Sequence, residues 1–148
     1  MEKLPPIEKI MEAYTAIGDN HIKMFDDYAL VTSSDNAKTY TVKWHGDTYQ
    51  ANDNATYCQG YPGYPIIAIL LLQNKLPFNK NLAKIFAGIN WHDLNDKFNR
   101  DYTAAAKFIF KEKSIDEDSI LTELDQCYAA LKKLPLIIKR TTTKIIKN

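Results

Sequence analysis

The chain has 148 residues, 45% hydrophobic and 25% charged, with nine tyrosines, six phenylalanines and two tryptophans. That is enough apolar mass to bury a core and too much aromatic content for a disordered chain. The formal net charge of +1 hides a gradient. Residues 1–74 carry five lysines against nine acids, and residues 75–148 carry fourteen basic residues against nine acids.

Pro5 and Pro6 stand where a helix start tolerates proline. Ile7, Ile10, Met11, Tyr14 and Ile17 then recur at helical spacing, with Gly18 as the expected stop. From His21 the period changes to two. His21–Phe25, Tyr28–Ser33 and Thr39–Trp44 alternate, and Asp26-Asp27 and Ser34-Asp35-Asn36 separate them as turns. In the third run Tyr40, Val42 and Trp44 share one face, and Thr39, Thr41 and Lys43 the other. His45-Gly46-Asp47 turns the chain into a return strand at Thr48–Gln50. The expected product is an antiparallel meander of three or four strands.

Asn52-Asp53-Asn54 ends the strand pattern, and Cys58-Gln59-Gly60-Tyr61-Pro62-Gly63-Tyr64-Pro65 follows as a loop. Ile66 to Leu72 is apolar on every side, which predicts a central helix over about 65–75 started by Pro65. Pro77 ends it. Three further helices are expected. A short one is capped by Asn79 or Asn81 and stopped at Gly88. A second runs from Trp91 to about Lys113 behind an Asn90/Asp93 capping box. A third follows a Ser114/Glu117 box and carries the stripe Ile120, Leu121, Leu124, Cys127, Tyr128, Leu131, Leu134. Leu136 to Lys147 is β-branched and reads as an edge strand beside the meander. The whole is a single α+β domain over residues 1–148: one helix, the meander, then four helices.

The acidic, proline-bearing start is unlike a signal peptide, and the longest apolar run is far below the about 20 residues a membrane span needs. Two cysteines, Cys58 and Cys127, make no disulfide framework, so the reading is a cytoplasmic protein with reduced thiols and no membrane contact. Metal is not expected, because His21, His45 and His92 lie far apart with no ligand at metal spacing. The strand–loop–helix after Thr48 resembles a SWIM-type zinc finger in layout. Where that motif has Cys-x-Cys and Cys-x-His, this chain has Ala51-Asn52-Asp53 and Gly63-Tyr64-Pro65. No cofactor is expected either. Pro62 and Pro65 remove donors that a phosphate loop would use.

Three functions are open. The first is a binding or interaction module, with Tyr49, Tyr57, Tyr61 and Tyr64 as its surface beside the sheet edge, since tyrosine pairs a large ring with a polar tip. A protein partner or a second copy of the chain would fit such a face. The second is association with nucleic acid through Lys97, Arg100, Lys139, Arg140 and Lys144 in the basic half. Leu82 to Phe98 resembles a helix-turn-helix in outline, although His92, Asp93, Asn95, Asp96 and Asn99 would face the DNA. The third is an enzyme built on Cys58, with His45 or His21 as base and Asp53 as orienting group.

Overall fold

The computed structural model describes residues 1–142. Its first helix, α1, spans Glu8–Gly18. The stop lies beyond Gly18, at Asn20, which takes the left-handed region (φ 58°) while His21 N–H returns to Ala16 O at 2.9 Å. Gly18 has a different task. A Cβ there would overlap the carbonyl oxygen of Ala83, so the glycine lets another helix come close.

Four strands follow as a meander: β1 Ile22–Met24, β2 Tyr28–Thr32, β3 Thr39–His45 and β4 Thr48–Ala51. They pair antiparallel in sequence order, with Val31 opposite Tyr40 and Trp44 opposite Tyr49. Val42 is buried as the alternation requires, but so is Thr41, which faces Leu30 across the ladder. Thr41 N–H donates to Asn52 Oδ1 at 2.9 Å.

Residues 55–59, expected as loop, form a single π-helical turn, Ala55–Gln59, closed by Gly60 at φ 76°. The central helix α2 spans Tyr64–Leu72. Every residue from Ile66 to Leu71 is fully buried, between α1 on one side and β3–β4 on the other. Each of the Ile and Leu side chains among them contributes roughly 1.5–3 kcal/mol of burial, which makes α2 the main apolar anchor of the fold. Tyr49 enters this core and donates its hydroxyl to Gln73 Oε1 at 2.6 Å. Thr15 sits at a buried junction, donating to Phe86 O at 2.5 Å and accepting from Trp91 Nε1 at 2.8 Å.

Helix α3 is Lys80–Ile85, capped by Asn79 Oδ1 on Asn81 N–H. The expected helix over 91–113 is two helices, α4 Trp91–Lys97 and α5 Tyr102–Glu112, so among the described residues five α-helices follow the meander rather than four. The cause is local. Asn99 and Arg100 both take positive φ, Arg100 N–H closes on Asn95 O at 2.7 Å, and Asp101 Oδ1 caps Ala104 N–H at 3.1 Å. Helix α6, Glu117–Lys133, starts behind Asp116 rather than from a Ser114 cap, because Ser114 is left-handed (φ 52°). Its Ile120, Leu124, Cys127 and Leu131 are buried as the stripe requires.

Strand β5, Ile137–Arg140, lies along β4 and is the expected edge strand. It runs parallel to β4, with Thr48 opposite Ile137 and Ala51 opposite Arg140, because the chain returns through the helical layer rather than by a hairpin. The sheet order is β1-β2-β3-β4-β5, in an α+β architecture.

Candidate functional site

Beyond the N-terminal ends of α2 and α1 the surface opens into a cleft of about 490 Å³. Its walls come from α1, the β2–β3 turn, β3, the π turn and the α4–α5 joint. Each wall delivers polar side chains, most of them half-buried or buried.

Asp53 forms the floor and is only 3% exposed. Its Oδ2 accepts from Thr56 N–H at 3.2 Å, and the Thr56 hydroxyl donates to the same carboxylate. That hydroxyl in turn accepts from Gly63 N–H at 3.2 Å. Gly63 has to be glycine here, since a Cβ would overlap Asp53 Oδ2. Asp53 Oδ1 is buried without a hydrogen-bond partner. Burial raises the Asp53 pKa above the usual carboxylate value, against the opposing effect of Thr56.

Helix α1 contributes Lys9 and Glu12, both within the stretch Lys9–Ala16 that is buried on all sides. Lys9 Nζ lies 2.9 Å from Glu12 Oε2 and 4.5 Å above the ring of Tyr102. Burial alone would lower the lysine pKa, but attraction to Glu12 outweighs it and the ammonium is held above its ordinary range. Burial pushes Glu12 upward, opposed by Lys9 and reinforced by Asp53. On the opposite wall Asn95 is 6% exposed, and its Oδ1 is also buried without a partner. Tyr64 meets Tyr40 edge-on, centroids 6.4 Å apart, and burial raises both phenols. Tyr61 completes this wall beneath Lys3 Nζ, 5.5 Å from its centroid.

The tyrosines expected to form one surface are dispersed. Tyr61 and Tyr64 line the cleft, Tyr49 is core, and Tyr57 is exposed under the Arg140 guanidinium at 5.0 Å. The edge of β4 that would have joined them is covered by β5. Cys58 is exposed and its Sγ pairs with Asn54 Oδ1 at 3.2 Å. His45 lies at the end of β3 opposite Thr48, and His21 precedes β1. Among the described residues no hydrogen bond or ion pair joins Cys58 to a histidine or to Asp53.

The basic candidates are spread over several elements. Lys97 Nζ lies 4.9 Å from the Phe108 centroid, and Arg100 is 3.3 Å from Asp96 at the cleft mouth. Lys139 and Arg140 stand on β5, and Lys144 lies outside the described residues. His92 on α4 is ringed by Asp35, Asp93 and Asp96 at 3.5–3.8 Å. Among the described residues no group of three or more His, Cys, Asp or Glu side chains is placed to hold a metal ion. None of the described helices is long and apolar enough to cross a membrane.

A family model matches residues 2–137. The chain belongs to the family described as Uncharacterised conserved protein UCP014422. The matched range contains every residue of the cleft. No curated protein and no solved structure matches the chain.

Lys9, Glu12 and Tyr102 were not singled out as site residues by sequence reasoning, Tyr40 was read only as a strand-face residue, and Asn95 only as part of a helix face toward DNA. The signal for two of them was present: a Lys/Glu pair at i,i+3 inside the first apolar helix. Asp53 was named as an orienting group for Cys58, and it lines the cleft with residues of α1 and the tyrosines.

Proposed function

We propose that this protein is a small binding module that holds a polar ligand in the cleft above Asp53. One observation carries the reading: Asp53, 3% exposed and with one buried carboxylate oxygen unpartnered among the described residues, lines a cleft of about 490 Å³. A buried polar atom left unpartnered costs about 1–3 kcal/mol, and more when charged. A fold maintains such a group most readily where a ligand completes it. The cleft also has the mix of rings and sparse polar groups common to small-molecule sites.

The test is an amide-resonance map of the intact chain against a panel of small polar compounds. Shifts should gather at Ala55, Gln59, Tyr64 and Asn95, and should be absent around Cys127. Shifts confined to β1, β5 or α6, or none at all, would overturn the reading.

A further inference from the structure

Among the described residues three cleft residues have a buried side-chain oxygen that accepts no hydrogen bond; Glu12 Oε2 has Lys9 Nζ at 2.9 Å, which leaves Asp53 Oδ1 and Asn95 Oδ1, on residues 3% and 6% exposed. They come from different elements, the segment after β4 and helix α4, yet line one space. Both are acceptors. A ligand that filled the space with acceptors of its own would leave them unpaired, so the ligand must bring donors.

The surrounding rings narrow the class. Two of the cleft's tyrosines already carry an ammonium from the protein itself: Lys9 Nζ at 4.5 Å from Tyr102 and Lys3 Nζ at 5.5 Å from Tyr61. Tyr40 and Tyr64 carry no such cation among the described residues. Lys9 is matched by Glu12 at 2.9 Å and Arg100 by Asp96 at 3.3 Å, while Lys38 lines the cleft from the exposed β2–β3 turn. Among the described residues the Asp53 side chain accepts from Thr56 N–H and forms no ion pair.

We propose that the cleft takes an organic cation, an ammonium or guanidinium group that donates to Asp53 Oδ1 and Asn95 Oδ1 beside the Tyr40 and Tyr64 rings. This rests on the cleft being the binding site, and it names the ligand's chemistry. Charge-assisted hydrogen bonds supply the strength, and the rings add cation–π attraction.

The test uses four probes of one size: n-butylammonium, n-butylguanidinium, butyrate and butyramide, titrated into the full chain at neutral pH and followed by amide shifts. Either cation should bind at least about tenfold more tightly than butyramide, and Asp53→Asn should remove at least about tenfold of that affinity, equal to about 1.4 kcal/mol. The substitution keeps the side chain's shape and its Thr56 contacts, and the probe comparison on the unaltered chain stands even if the variant fails to fold. Butyrate or butyramide shifting the cleft amides while both cations are silent overturns the cation assignment and leaves the binding site. Cations that bind equally well to the Asp53→Asn protein overturn the role of Asp53. Silence from all four at the cleft overturns both the ligand class and the site.

Discussion

Helix α2 and the π turn before it are separated by four residues, Gly60–Gly63, and are built on opposite terms. In α2 every interior side chain from Ile66 to Leu71 is apolar and fully buried. In the segment of the π turn the buried side chains are Asp53 and Thr56. The first region is fully satisfied by packing. The second keeps an oxygen without a partner inside the protein. The contrast separates what holds the fold together from what the fold carries: stability is concentrated in α2, and unspent hydrogen-bonding capacity in the wall beside it.

The comparison breaks first at α2. Leu70→Ala should destabilise the protein by about 2–5 kcal/mol in denaturant unfolding, since the site has neighbours on every side and little room to collapse. A loss below about 1 kcal/mol would mean that the helix is not the anchor.

Gly63→Ala comes next, because the added methyl meets the Asp53 carboxylate and the Ala55 Cβ. A loss of about 1–3 kcal/mol is expected, with the largest amide shifts at Thr56 rather than in α2.

The pH dependence is a third, smaller effect. Folding raises the pKa of both Glu12 and Asp53 through burial. The groups facing them are Lys9, Tyr40, Tyr61 and Tyr64. A carboxyl with a raised folded pKa stabilises the fold most below the unfolded value, and that contribution is lost as pH rises through the folded value. Relative to wild type, Asp53→Asn should therefore gain stability across that rising window. A variant whose stability tracks wild type at every pH would place the Asp53 charge in solvent.

The smallest effect belongs to the exposed stack. Arg140→Ala loses a guanidinium over Tyr57, worth about 0.5–1 kcal/mol at an exposed site, and should leave the cleft amides unmoved.

The same contrast explains what the sequence reveals. Helix α2 is legible because Pro65 marks a helix start ahead of the apolar run, and the meander because period two and its turn residues agree. The α4–α5 break is harder to see. Asn99 marks it, but Arg100 at positive φ is uncommon, and it is held by the return bond to Asn95 O. The parallel direction of β5 depends on where α6 delivers the chain, which no local pattern encodes. The cleft was least legible. An amphipathic reading sends Lys9 and Glu12 to solvent, and only packing of α1 on several sides brings them inside. Gly63 stands in the sequence only as one residue of the loop, and its reason is the Asp53 carboxylate pressed against it.

The most direct test of the account is the titration of Asp53 itself, followed through its side-chain carboxyl ¹³C resonance in the folded protein. Burial with one oxygen unpartnered predicts a midpoint above that of an unhindered aspartate, and a further shift when a donor-bearing ligand occupies the cleft. A midpoint at or below the ordinary aspartate value would mean that Asp53 is solvated or fully paired, and would contradict the site.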